Sequence, residues 1–395
     1  MLINKKSFTL TKILLVLYIF RFVIIAGSES YSGMFNFIGE LVVLAFFVDV
    51  TAMKSRINWS NFRTIVPYLI FLFLMLFSVI WYPKGSEYIF DHFTKYLLFF
   101  ICFFVVASTN NFDFLFYAII LGCATIFVVG YDEILEYTLQ PVNRRFTFNT
   151  IDEEGGINPN VLAFYCNISI AFLIYKYRLI NKKHVKLGIL CLIGTFVLFI
   201  VFVTLSRKGL IGILIMFLFF LLSGKKLNLR FKILSILISS TIIFFLMQNF
   251  ELPVLNRFIS TINLFEGSKN IGQSDHERSF LILESISFWK ESPIFGNGIK
   301  HFENNSVLGL YTHTNYMELL VNYGLVGLLL FYSPIITRLR TLYTYFNHFH
   351  IQIKFFFFIL IFILISDFAM VSYYNVVYLF LLSVVLGYDF NFKGK

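Results

Sequence analysis

A chain of 395 residues that is 58% hydrophobic and only 14% charged, with 53 phenylalanines, carries more apolar surface than a water-soluble domain can cover. It reads as an all-α, polytopic integral membrane protein, a single membrane domain over residues 1–395. The formal charge of +10 does not point to nucleic acid, because basic residues of such proteins gather on cytoplasmic loops; and Cys102, Cys123, Cys166 and Cys191 all fall inside apolar runs, suggesting neither an extracellular disulfide nor a metal cluster.

The hydrocarbon core is about 30 Å thick and a helix rises about 1.5 Å per residue, so a crossing takes about 15 to 22 apolar residues. About twelve spans follow in chain order: 13–27, 35–53, 65–82, 94–109, 112–132, 158–176, 186–205, 208–223, 232–248, 314–334, 354–371 and 374–390. The first follows Lys5, Lys6 and Lys12 in the manner of a signal peptide, but Ile24–Ser28 has no small-x-small cleavage site, so it reads as a retained anchor. No internal repeat is visible, which weighs against transporters built from inverted repeats.

Alternating the connectors between sides gives a charge tally. One side takes Lys5, Lys6, Lys12, Lys54, Arg56, Arg63, Lys176, Arg178, Lys182, Lys183 and Lys186. It also takes Lys225, Lys226, Arg230, Lys232, Arg338, Arg340, Lys354, Lys393 and Lys395. These are 20 of the 32 basic residues, on short connectors with almost no acids, so this side is expected in the cytoplasm together with both termini. The other side takes Gly27–Met34, Pro83–Phe93, Glu133–Ile157, the Ser206–Lys208 turn and a large extracytoplasmic loop, residues 249–313, between the ninth and tenth spans.

Three outer stretches carry unusual chemistry. In the first, Arg144 and Arg145 run against the orientation rule and precede Asp152, Glu153, Glu154 and then Ile-Asn-Pro-Asn (157–160). Asn158 suits an N-cap with Pro159 in the first helical position, where its missing N–H costs nothing. The acids read either as a solvated loop or as acceptor contacts. In the second, Ser206 would cap the next helix and place Arg207 and Lys208 at its N-terminus, where the dipole already favours an anion. Cations there oppose the dipole unless a phosphate or pyrophosphate sits between; the alternative is that both side chains snorkel to lipid headgroups.

In the third stretch, Ser274-x-x-Glu277 forms a capping box. Arg278, Ile282, Ile286 and Trp289 then recur at helical spacing, predicting an amphipathic helix of about 17 residues that ends at Ser292-Pro293. Glu277, Glu284, Lys290 and Glu291 make it too polar to span, so it would lie on the membrane surface or on the bundle. After a glycine-rich turn at 293–298, His313 precedes Asn315-x-x-Glu318, a second capping pattern. A histidine at a helix N-terminus tends to stay neutral and can act as a base; a lone one equally serves as an interfacial hydrogen-bonding residue.

The succession of Arg-x(12)-Asn-Pro-Asn (145–160), Leu-Ser-Arg-Lys-Gly (205–209), Glu-Arg with Trp289 and Ser-Pro-Ile-Phe-Gly-Asn-Gly (292–298), then His-Thr-Asn-Tyr-x-Glu-Leu-Leu-x-Asn-Tyr-Gly-Leu-Val-Gly (313–327), resembles the O-antigen polymerase and ligase superfamily of bacterial envelopes. The resemblance covers about residues 140 to 335, and implies a metal-independent, inverting glycosyltransferase of the cytoplasmic membrane. It would use a polyprenyl-pyrophosphate-linked oligosaccharide at the outer face. On this mapping Arg207 and Arg278 hold the donor pyrophosphate, Arg145 is a further group, and His313 takes the proton of the acceptor hydroxyl. Lys208, Asn158, Asn160, Asn315 and Trp289 are expected to contact pyrophosphate or glycan. No cofactor is implied; the lipid bilayer, a chain-length regulator and a flippase are the implied partners.

The preferred expectation is a polysaccharide polymerase for O-antigen or capsule. The same chemistry serves a ligase that moves the glycan to another acceptor. A transporter or flippase of lipid-linked oligosaccharide is a different class, and ionisable residues within spans would mark it: Arg21, Glu40, Asp49, Asp132, Glu318 and Asp367.

Overall fold

The computed structural model describes residues 8–25, 32–52, 57–59, 61–130, 158–204, 206–224, 273–347 and 350–390. Among them the secondary structure is entirely helical, and we number the α-helices α1 Thr9–Ile25, α2 Ser32–Thr51, α3 Phe62–Phe77, α4 Ser86–Thr109, α5 Asp113–Val129, α6 Pro159–Leu179, α7 Lys183–Phe199, α8 Arg207–Ser223, α9 Gln273–Glu291, α10 His301–Asn305, α11 Asn315–Thr344, α12 Ile351–Ser366 and α13 Val376–Gly387. Eleven of the expected spans each fall on one of these helices. The span expected at 232–248 lies outside the described residues, as do Arg144, Arg145, Asp152, Glu153 and Glu154.

Four helical stretches, Phe62–Ile80, Pro83–Thr109, Lys183–Thr204 and Asn315–Thr344, are long and apolar enough to cross a membrane, with shorter apolar helices at Asp113–Val129, Ile351–Ser366 and Val376–Gly387. The chain is therefore a polytopic membrane protein. Several boundaries differ from expectation: α4 begins at Ser86, so most of the expected Pro83–Phe93 connector is helical, and α12 ends at Ser366 rather than 371. The span at 314–334 continues to Thr344, so Arg338 and Arg340 lie in the last turns of α11 and not on a connector. The helix can continue because Arg338 is satisfied there: it donates to Val385 O at 2.9 Å and to Tyr388 O, the open carbonyls at the end of α13.

Lipid offers no hydrophobic drive for helices to associate, so packing and polar contacts hold such a bundle. The phenylalanines and tyrosines supply the first. Phe71 of α3 lies 5.1 Å from the Tyr323 ring of α11, 5.9 Å from Tyr96 of α4 and 6.3 Å from Tyr373, joining helices distant in sequence. The buried Asp49 supplies an example of the second. Its carboxylate accepts the Thr11 N–H at 2.9 Å and the Thr11 hydroxyl at 2.6 Å, closing the start of α1 from α2. Asp49→Ala is expected to lower stability by about 1–3 kcal/mol, since two buried donors lose their acceptor. Asp49→Asn should cost less. Unfolding in detergent with no shift for the alanine variant would contradict the assignment.

Contacts at the helix termini sort the connectors into two ends. At one end Lys176 pairs with Asp113, Arg178 donates to Phe220 O and to Ser223 Oγ, and Lys354 donates to Leu222 O. Basic side chains thus close the C-terminus of α8, where the dipole welcomes them. At the other end Tyr96 OH donates to Tyr373 O, Ile299 N–H to Ser78 Oγ, and Asn305 to Tyr82 OH. All of the motif residues that the structure describes lie at this second end or close beneath it.

Candidate active site

Asn158 caps α6 as its sequence suggests, its Oδ1 accepting the Asn160 N–H at 2.9 Å with Pro159 in the first turn. Ser206 likewise caps α8, accepting the Gly209 N–H at 3.2 Å. The same hydroxyl donates to Asn160 Oδ1 at 2.8 Å, so the Asn-Pro-Asn and Ser-Arg-Lys-Gly stretches are pinned to each other. Two turns along α6, buried Asn167 donates to Gly209 O at 3.1 Å and Ala163 O at 2.9 Å. These bonds fix the start of α8 on α6 and place Arg207 and Lys208, both half-buried, in its first turn. Lys208 lines a small cavity with Asn160, Asn167, Ser366 and Met370.

The helix expected in the long loop is present as α9, starting at Gln273, one residue before the expected cap. Its inward face differs by one residue from the expected stripe. Leu281 and Ser285 are buried, while Ile282 and Leu283 are exposed. The reason lies in its neighbours: Leu281 packs with Phe302 of α10 and Val321 of α11, and Ser285 turns its hydroxyl back to Ile282 O at 2.6 Å. Trp289 Nε1 donates to Pro293 O at 3.2 Å, which closes the turn after α9.

That turn then locks into α11. At Gly324 the helix breaks, with φ 65° and ψ −167°, leaving backbone groups on both sides of the break without helical partners. The 293–298 segment supplies them. Asn297 N–H donates to Val321 O at 2.8 Å and Gly298 N–H to Asn322 O at 2.9 Å, while Leu325 and Val326 N–H donate to Pro293 O and Ile294 O at 3.0 and 3.1 Å. Two motifs separated in sequence are one backbone clasp in space.

His313 precedes α11 in a left-handed conformation, φ 60°, which a β-carbon disfavours and which persists only where surrounding bonds impose it. Those bonds differ from the expected capping pattern. Thr314, not Asn315, is the N-cap; Glu318 reaches past it and accepts the Thr312 N–H at 2.9 Å; Thr312 Oγ1 donates to Thr314 O at 2.8 Å. Glu318 Oε1 also accepts from Asn322 at 3.0 Å. Asn315 is fully buried, its carboxamide donating to Tyr332 OH at 2.8 Å and accepting from Ser372 and Tyr373 N–H at 2.9 and 3.0 Å.

Tyr311 is the neighbour that sequence reading passed over. Its ring meets the His313 ring edge-on at 4.3 Å between centroids. Burial pushes its hydroxyl above the usual phenol range, and the positive charge of Arg278 pulls the other way. The structure thus sets His313 against a tyrosine whose hydroxyl feels the charge of Arg278. It also brings His313 toward the α8 start: Ser366 and Met370 share the Lys208 cavity, and Asp367, between them, accepts the Asn315 N–H at 2.8 Å and the Thr314 hydroxyl at 3.3 Å on its carbonyl. The only sequence signal for this turn was an ionisable residue in an apolar run.

Residues 189–332 match the family model described as O-Antigen ligase. The match runs from α7 into α11 and takes in Arg207, Lys208, Arg278, Trp289 and His313, and over this segment the chain is similar to the O-antigen ligase and polymerase superfamily, a membrane glycosyltransferase-like class. No curated protein matches the chain significantly.

Proposed function

We propose that this protein is a polysaccharide polymerase, which transfers a growing glycan from its polyprenyl pyrophosphate to a hydroxyl of a new lipid-linked repeat unit. The observation that carries the reading is the Ser366–Met370 turn, which touches the Lys208 cavity on one side and the residues after His313 on the other. A base and a cationic helix start on one end of the bundle are what this chemistry needs.

In the reaction the acceptor oxygen attacks the anomeric carbon and gives its proton to His313. The bond from that carbon to the pyrophosphate oxygen breaks, and its electron pair leaves with the pyrophosphate. Arg207 and Arg278 meet the developing charge, for which planar guanidinium groups are suited; Lys208 and the dipole at the α8 start add to the same field. The leaving group is already activated, so neither nucleotide nor metal is required in this scheme, and a single displacement inverts the anomeric centre. Under the positive-inside tally the site lies on the outer face, where the long loop was expected.

The matched family description speaks for the second reading, a ligase, which differs only in acceptor. The test is an assay of the purified protein with its lipid-pyrophosphate-linked repeat unit alone, without nucleotide. A ladder of multiples is expected. Product that forms only when a different acceptor is added would replace polymerase with ligase. No product from a folded protein given its own substrate would move transport to first place.

A further inference from the structure

We infer that Asp367 is a positioning residue for His313, an inference that rests on the glycosyl-transfer reading above. Asp367 follows α12 and is fully buried. Its Oδ1 accepts the Ser372 hydroxyl at 2.5 Å; its Oδ2 accepts Tyr378 OH at 2.6 Å, Tyr332 OH at 2.7 Å and the Asn315 carboxamide at 3.5 Å. These donors are three hydroxyls and one amide, from α11, α13 and the turn between α12 and α13.

Burying a carboxylate is costly, so the residue type needs a reason. Four donors converge on one side chain. A carboxylate has about four lone-pair sites and no proton to misplace, whereas a carboxamide would turn an N–H toward groups that are themselves donors. The convergence has a direction as well. Asn315 is gripped three ways: its backbone N–H by the Asp367 carbonyl, its carboxamide N–H by the Asp367 carboxylate and Tyr332, and its carboxamide oxygen by Ser372 and Tyr373 N–H. Asn315 is two residues from His313, whose left-handed backbone needs external restraint. The same turn presents Ser366 and Met370 to the cavity that Lys208 lines. Asp367 therefore sets where the imidazole stands relative to the cationic start of α8. It touches no reacting atom.

A base displaced by about 1 Å costs on the order of 100-fold in rate while leaving binding groups in place. The experiment compares wild type, Asp367→Asn and Tyr378→Phe in the lipid-linked glycan assay, and in parallel follows hydrogen exchange of the intact protein in detergent. Tyr378→Phe removes one of the four bonds while keeping the ring, and so tests the idea if Asp367→Asn does not fold. Expected for Asp367→Asn are a kcat about 10- to 100-fold lower, a donor KM within about threefold of wild type, and faster exchange confined to peptides spanning 311–316 and 366–373. Tyr378→Phe should show the same split, smaller. Unchanged kcat with local loosening would overturn the positioning role, as would equal losses in kcat and affinity with exchange raised throughout. A wild type without turnover sinks the glycosyl-transfer reading and this inference with it, whereas wild-type turnover with an indifferent Asp367→Asn sinks this one alone.

Discussion

His313→Ala is expected to lower turnover by about 10²-fold or more, with the affinity for lipid-linked donor nearly unchanged, because general-base assistance supplies about 10²- to 10⁴-fold and the proposed mechanism has other groups hold the donor pyrophosphate. The variant must be separated from a backbone effect, since His313 sits at φ 60°. His313→Asn makes that separation: asparagine tolerates the left-handed conformation but offers no basic nitrogen. Both variants should therefore lose activity alike. Single-turnover measurements on purified protein decide it. An asparagine variant as fast as wild type would reduce His313 to a turn residue, and Tyr311, in ring contact with it and under the charge of Arg278, would become the group to examine.

Gly324→Ala should have the largest effect on folding. The position combines φ 65° with ψ −167°, a region essentially reserved for glycine. An added β-carbon would lie 2.2 Å from Ile294 O and 2.3 Å from its carbonyl carbon, atoms of a backbone that cannot swing aside without breaking the four bonds between 293–298 and α11. Conformational strain of about 1–3 kcal/mol and the clash add, so we expect a loss of 3 kcal/mol or more, or failure to accumulate in the membrane, to about the extent seen for severe core lesions. Gly309→Ala is the control. Gly309 also has positive φ, at 62°, but nothing lies within 4 Å of the added carbon, leaving only the backbone cost of about 1–2 kcal/mol. Equal midpoints for the two variants in detergent unfolding would show that the clasp does not matter to the fold.

How much of this was legible beforehand depends on the range of the interaction. Caps are local, and Asn158 and Ser206 perform the roles their neighbours in sequence suggest. The second capping pattern misled, because the contest for the Thr312 N–H was settled by Glu318 and that for the Asn315 N–H by Asp367, 52 residues away. The inward face of α9 was read one residue out for the same reason. Its periodicity fixed a helix, but Phe302 and Val321, which choose the face, belong to other elements. Arg338 was assigned to a connector because a charge looks like the end of a span; the carbonyls of Val385 and Tyr388 make it a helical residue.

By itself the sequence determined that the chain is a helical membrane protein and that Asn158 and Ser206 cap their helices, since hydropathy over a span and capping within a turn need no partner. Only the tertiary structure decided that Asn160 meets Ser206, that the 293–298 turn completes the broken α11, and that the Ser366–Met370 turn joins the residues after His313 to the cavity of Lys208. These are hydrogen bonds between residues tens of positions apart, and composition and periodicity carry no term for them.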